Sequence, residues 1–182
     1  DAAYTVHRLY DASQQTRIQS ELGTIRAVVT GGGTGLSAEW VARLPALGLI
    51  AINGVGTDKV DLAETARRGI HVSTTPGVLT GDVADMAMAL LLAVMRRIVD
   101  GDRMVREGRW ASGGKLPLGT RLGGRKLGIL GLGQIGRAIA RRAEAFDADI
   151  LYWNRSDIET PSNWTRAETP ERLAARSDIL VA

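Results

Sequence analysis

The sequence predicts an α/β protein built from parallel sheets that are covered by helices. Short apolar runs alternate with segments of helical periodicity, as is typical of such sheets. An apolar run over 126–130 leads directly into Gly-Leu-Gly-Gln-Ile-Gly at 131–136, and an amphipathic helix follows. Hydrophobic residues form 45% of the 182 residues, and this is an ordinary composition for packed domains.

The first 77 residues are predicted to form one domain, which is expected to be incomplete at its N-terminus. Ser37 is expected to cap a short helix that ends at Leu44, and Gly69 is expected to end a helix over 61–68. Strands are expected between these helices, over 5–10, 26–30, 49–53 and 70–74.

Residues 78–182 are predicted to form a second domain that begins with a helix over 80–99. This helix is apolar almost all the way round, so we expect it to be buried between layers. A more exposed helix over 101–110 and an extended connection over 111–124 follow it. The remaining elements are strands over 126–130, 149–153 and 178–182, and a helix over 169–176 that Thr169 caps and Pro170 begins.

The glycine motif is the strongest functional signal in the sequence. Gly131 permits a tight turn, Gly133 lets the backbone approach a pyrophosphate, and Gly136 lets the helix pack closely on the strand. The helix start, which includes Gln134 and Ile135, offers free amides and the positive end of the helix dipole to phosphates. A loop that only turns the chain is the alternative, but strand, turn and helix together favour a dinucleotide site.

The residues after the strand over 149–153 indicate which dinucleotide is preferred. An NAD site places an acidic residue about 20 positions beyond the motif, where it binds the ribose hydroxyl. This chain has Asn154, Arg155 and Ser156 there. Arg155 suits phosphate geometry, and its two neighbours can donate hydrogen bonds, so we expect NADPH to be preferred over NADH. An ordinary solvated loop cation is the alternative interpretation of Arg155.

Three predicted strands account for only the adenosine half of a dinucleotide-binding domain, whose complete sheet has the order 3-2-1-4-5-6. The strand over 126–130 is then expected at an outer edge of the sheet. We therefore expect the sequence to be a fragment, or the ordered part, of a longer enzyme, with the nucleotide-binding domain present only as its first half.

Composition argues against several classes of protein. The net charge is only +3 and the basic residues are scattered, so nucleic acid is not an expected partner. There is no cysteine, which excludes disulfides and cysteine metal sites, and we identify no metal site of any kind. The apolar run over 86–95 is too short to cross a bilayer, and no signal peptide opens the sequence. No membrane association and a cytoplasmic location are the default expectations.

Four blocks of sequence together resemble the D-isomer-specific 2-hydroxyacid dehydrogenases. The Asn-Arg-Ser sequence at 154–156, which follows the strand over 149–153, is similar to that of the family's NADPH-dependent hydroxypyruvate, glyoxylate and hydroxyphenylpyruvate reductases. The resemblance implies two Rossmann-like or flavodoxin-like domains, one for substrate and one for nucleotide, and a homodimer formed through the region of the 80–99 helix. The blocks follow the family's order and spacing, at 53–60, at 75–80 with 83–85, at 107–110 and at 127–136.

The resemblance also implies the substrate site. The backbone amides of Val55 and Gly56 would hold the carboxylate of a 2-oxo acid, because a glycine-rich turn after a strand can point successive amides at an anion. A turn needed only to enter the 61–68 helix is the alternative. Thr74 departs from the asparagine that relatives often carry before Thr-Pro. An apolar wall near the nicotinamide would be formed by Val78, Leu79 and Val83.

The chemistry implied is hydride transfer from NADPH to a 2-oxo acid such as glyoxylate or hydroxypyruvate, which yields a D-2-hydroxy acid. In the family, an arginine holds the substrate and a histidine oriented by a glutamate donates the proton. All three are expected beyond Ala182. His7 and His71 show no partner pattern and are interpreted as structural, so no catalytic residue is assigned and the fragment is expected to be inactive.

A protein that senses NAD(H) and acts as a corepressor-like interaction module is the alternative function. A peptide-binding cleft in the first domain and a preference for NADH would support it. The sequence shows no sign of that cleft, and Arg155 argues against that preference.

Overall fold

The computed structural model describes residues 4–182, apart from the side chains of Ala12, Gln15 and Arg17. The chain divides into two compact units, Asp1–Pro76 and Gly77–Ala182. Each unit contains a parallel sheet flanked by helices, so the predicted α/β class is confirmed.

The first unit holds a three-stranded parallel sheet in the order β1-β2-β3. Its strands are β1 (Ala27–Gly31), β2 (Leu49–Asn53) and β3 (His71–Ser73). Its helices are α1 (Ala12–Gln19), α2 (Ala38–Arg43) and α3 (Leu62–Arg67), with a 3₁₀ turn at Leu22–Thr24.

Helix capping and a small apolar core hold this unit together. Ser37 caps α2 as predicted, since its hydroxyl accepts the N–H of Trp40 at 3.4 Å. Ile50 and Ile52 of β2 pack with Val41 of α2, and all three are buried. The loops after β1 and β2 therefore lie side by side at the carboxyl edge of the sheet.

The expected strand over 5–10 is wrong. Residues 5–8 have no regular structure, and 9 and 10 lie in a turn. Val6 and Tyr10 are mostly exposed, so this stretch has no buried apolar face that would favour a strand.

The second unit holds a four-stranded parallel sheet in the order β6-β5-β4-β7. Its strands are β4 (Lys126–Leu130), β5 (Asp149–Trp153), β6 (Thr165–Arg166) and β7 (Ile179–Val181). Its helices are α4 (Thr80–Met95), α5 (Ile98–Arg106), α6 (Gln134–Glu144) and α7 (Pro170–Arg176).

The expectation that the strand over 126–130 lies at a sheet edge is wrong. That strand, β4, pairs with β5 on one side and with β7 on the other. The predicted strand over 178–182 corresponds to β7, and it takes position 4 of the dinucleotide-binding order 3-2-1-4-5-6. The third position belongs to β6, whose two residues are too few to show a sequence periodicity.

The expected single buried helix over 80–99 is also wrong, in both its length and its burial. The helix ends at Met95, and α5 begins at Ile98 after Arg97, which has a left-handed backbone with φ of 54°. Only one side of α4 is covered, by α6. Leu90 and Val94 are 61% and 79% exposed.

Among residues 4–182, no helix combines the length and the apolar character that a membrane span requires.

Candidate functional site

The loop between β4 and α6 requires glycine at two positions for reasons internal to the fold. Gly131 has a φ of +94°, a conformation that side chains disfavour, and its N–H donates to the carbonyl of Trp153 at 2.9 Å. Gly136 packs so closely that a Cβ there would lie 2.3 Å from the carbonyl oxygen of Gly131. These two glycines hold the start of α6 tightly against the end of β4.

Gly133 has no such internal reason to be glycine. Its φ is −74°, which any residue can adopt, and an added Cβ would meet no atom of the described chain within 4 Å. Above Gly133 there is therefore open space at the amino end of α6. A diphosphate that approaches the backbone closely would use this space.

The amides beside that space have no acceptor within the helix. Gly133 provides no side-chain cap, and the first helical hydrogen bond runs from the N–H of Arg137 to the carbonyl of Gly133 at 3.0 Å. The N–H groups of Gln134, Ile135 and Gly136 precede that bond. They lie at the positive end of an eleven-residue helix, a place that favours anions.

An ion pair, whose arginine also makes two hydrogen bonds, connects α6 to α4. Arg142 pairs with Asp85 at 2.6 Å, and its guanidinium also donates to the carbonyls of Ala138 and Gly81. At the other end of α6, the hydroxyl of Thr80 donates to the Gln134 side-chain oxygen at 3.3 Å. The start of α6 is thus fixed from the α4 side as well as by β4.

Asn154 joins the glycine loop to the loop after β5. Its side-chain oxygen accepts the N–H of buried Leu132 at 3.1 Å, and its amide donates to the backbone and hydroxyl oxygens of Ser156 at 3.0 and 3.2 Å. The predicted role of Asn154 was direct donation to the coenzyme. In the structure its polar atoms hold the two loops in register.

Arg155 extends from this loop into solvent. It is exposed, and within residues 4–182 its guanidinium makes no hydrogen bond or ion pair. Ser156 beside it is also exposed. The Arg155 guanidinium has no internal partner among the described residues, and its loop is joined to the glycine loop at the start of α6. It is therefore suited to binding a phosphate.

Sequence reasoning missed two charged residues at this place. Asp157 lies only two residues beyond Arg155, so it was visible in the sequence. Arg166 lies in β6 and forms an ion pair with Asp157. Its proximity could not be seen, because the pairing of β6 with β5 was not predicted.

The residues expected at a substrate site lie in the first unit, on the loop after β2. Gly54, with a φ of +141°, makes three hydrogen bonds with Thr75. Its N–H donates to the Thr75 hydroxyl at 3.0 Å, and its carbonyl accepts the Thr75 N–H at 2.8 Å and the Thr75 hydroxyl at 3.3 Å. Val55 and Gly56 follow and are exposed. Gly56 lies against Gly32 of the neighbouring loop. Thr75 is thus an anchor of this turn, a role not assigned from the sequence.

The remaining predicted residues are placed as follows. His71 is exposed on β3. The Nε2 atom of His7 lies 3.1 Å from a carboxylate oxygen of Glu21, a contact that the sequence did not suggest. Exposed apolar side chains stand at and just before the start of α4, on Val78, Leu79 and Val83.

Separate comparisons with known proteins agree on one family. Residues 88–182 match the family described as "D-isomer specific 2-hydroxyacid dehydrogenase, NAD binding domain". A hydroxyphenylpyruvate reductase of Plectranthus scutellarioides is 44% identical over 169 residues, 93% of this chain and 53% of the relative. A dehydrogenase structure from Rhizobium meliloti is 58% identical with a TM-score of 0.83, over 97% of this chain and 61% of that one.

A second similar structure carries ligands. It is an NADPH-dependent glyoxylate/hydroxypyruvate reductase of Sinorhizobium meliloti in complex with NADP and malonate, 37% identical with a TM-score of 0.81. The match covers 94% of this chain and 51% of that one. The chain spans about half the length of the curated relatives it matches.

The different roles of the two glycines can be tested by adding one methyl group to each. Gly136→Ala should lower the free energy of unfolding by about 2 kcal/mol, because the new Cβ clashes with backbone that cannot move freely. Gly133→Ala should change it by less than about 1 kcal/mol, since its Cβ enters open space. Urea unfolding of both variants measures this. Equal stabilities would contradict the packing described for Gly136.

Proposed function

Because the chain belongs to the D-isomer-specific 2-hydroxyacid dehydrogenase family, we propose that its protein reduces a 2-oxo acid to a D-2-hydroxy acid with NADPH. The observation that carries the proposal is the open space at Gly133, next to unpaired amides and within the same site as the free guanidinium of Arg155. We propose that the first 77 residues serve the substrate and that residues 78–182 serve the nucleotide.

The residues present fit a dinucleotide. The amides of Gln134, Ile135 and Gly136 would hold its diphosphate, and Arg155 with Ser156 would hold the 2′-phosphate that distinguishes NADPH from NADH. Asn154 keeps the two loops in register through its bond to Leu132. When bound, the reduced nicotinamide supplies a hydride.

The substrate class follows from the turn after β2 and from the similar reductases. The backbone amides of Val55 and Gly56, two exposed residues, would bind the carboxylate of a small 2-oxo acid, while Thr75 keeps their turn in place. Glyoxylate and hydroxypyruvate are the candidates, since similar proteins carry these names. No residue of this chain is proposed to donate the proton to the product.

A homodimer is the proposed assembly. Leu90 and Val94 present an apolar face of α4 to solvent, and apolar patches of this kind are typical of interfaces. A second copy of the chain would cover them.

The coenzyme preference can be tested with ligands that represent only the adenosine part of the coenzyme, with and without the 2′-phosphate. In Arg155→Asp, the affinity for adenosine 2′,5′-bisphosphate should fall at least about tenfold, because a charge-assisted phosphate contact becomes a repulsion. The affinity for AMP should stay the same. Arg141→Asp, an equal charge change at an exposed position of α6, is the matched control in calorimetric titration. Unchanged bisphosphate binding in Arg155→Asp would contradict the proposed role of Arg155.

The reaction can be tested by following NADPH oxidation with glyoxylate, hydroxypyruvate and phenylpyruvate. The full-length polypeptide should turn over at least one of them. The 182-residue chain should bind the coenzyme without turnover, because no proton donor is assigned in it. If an intact, folded full-length protein reduces no 2-oxo acid, the alternative of a dinucleotide-sensing interaction protein becomes the better account.

The dimer can be tested by placing a charge on the exposed face of α4. Leu90→Glu should shift the sedimentation coefficient from that of a dimer to that of a monomer, because a carboxylate would be buried without a partner. Leu62→Glu, at a half-exposed position of α3 in the first unit, is the control and should stay dimeric. A Leu90→Glu protein that sediments like the parent would show that this face is not the interface.

A further inference from the structure

The loop that carries Arg155 and Ser156 also carries a carboxylate. The side chain of Asp157 is 91% exposed and lies two residues beyond Arg155. A phosphate bound at Arg155 would bring its negative charge close to this carboxylate. By itself, Asp157 would therefore disfavour NADPH, just as an acidic residue at the end of this strand does in NAD sites.

Arg166 compensates the negative charge of the Asp157 carboxylate. One of its guanidinium nitrogens forms an ion pair with Asp157, and another donates to the backbone carbonyl of Asn154 at 3.3 Å. The two contacts span the loop from its first residue to its fourth. Arg166 therefore bonds to the residues on both sides of Arg155 and Ser156, and within residues 4–182 it forms no hydrogen bond or ion pair with either of these side chains.

The position of Arg166 is set by strand pairing. It lies in β6, where its register partner is Tyr152 of β5, two residues before Asn154. Its side chain is 43% exposed, so it is partly screened by solvent but more shielded than Asp157. Arg155, in contrast, has no internal partner within the described chain and is available to a ligand.

We propose that Arg166 is a specificity-determining residue, which makes the loop accept a 2′-phosphate by neutralising Asp157 and by fixing the backbone that presents Arg155. This inference rests on the proposed NADPH site. With Arg166 present, the single negative charge of Asp157 is set against two guanidinium groups, those of Arg155 and Arg166. Without it, Arg155 is left to balance Asp157, and no net positive charge remains for the phosphate.

The test compares adenosine 2′,5′-bisphosphate with AMP by calorimetric titration of the full-length protein. In Arg166→Gln, the affinity for the bisphosphate should fall about three- to tenfold, as expected for a charge lost at a partly exposed site. The affinity for AMP should stay within about twofold, because AMP has no 2′-phosphate. The loss should shrink as salt is added, because screening weakens such interactions.

Two further variants separate charge from structure. Arg166→Gln combined with Asp157→Asn restores the net charge around the loop, and it should recover most of the bisphosphate affinity. Arg106→Gln removes the arginine of another exposed Arg–Asp ion pair, the one with Asp102 on α5, and should change neither affinity. Thermal unfolding of each variant shows whether it is folded.

The outcomes distinguish this inference from the proposed function. If Arg155→Gln loses bisphosphate affinity but Arg166→Gln does not, the NADPH site stands and the role of Arg166 is overturned. If Arg166→Gln weakens both ligands equally, or if the double variant does not recover, Arg166 is only structural and the inference fails. If Arg155→Gln binds the bisphosphate like the parent, the NADPH site itself is wrong.

Discussion

The candidate site depends on the close packing of the first turn of α6 against the end of β4. That packing exists because Gly136 carries no side chain where the carbonyl of Gly131 lies. It holds the unpaired amides of α6 at the carboxyl edge of the sheet, beside the open space at Gly133. A bulkier residue at 136 would tilt or lift the helix, and the amides would no longer converge on one place.

The same edge gathers the other parts of the nucleotide site. Gly131 bonds to the last residue of β5, and Asn154 bonds to Leu132, so the glycine loop and the loop after β5 form one hydrogen-bonded unit. On the other side, β7 pairs with β4, so the strand order changes direction at β4. Ligands of open α/β sheets bind at such a switch point, outside the carboxyl ends of the strands.

Local features of this structure could be predicted from the sequence. The caps Ser37 and Thr169 and the strand–glycine–helix unit each depend on a few neighbouring residues, and the structure shows all of them. Features set by distant pairing could not be predicted in the same way. The neighbours of β4 depend on how strands some 50 residues apart meet, and two-residue β6 has no pattern of its own. The break at Arg97 was hidden because no glycine or proline marks it.

The central claim is that the amides at the start of α6 hold a diphosphate while Arg155 holds a 2′-phosphate. A crystal structure of the chain with NADPH tests it most directly. The account predicts diphosphate density over Gly133 and phosphate density at the Arg155 guanidinium. A coenzyme bound elsewhere, or a loop left empty by a coenzyme at saturating concentration, would contradict it.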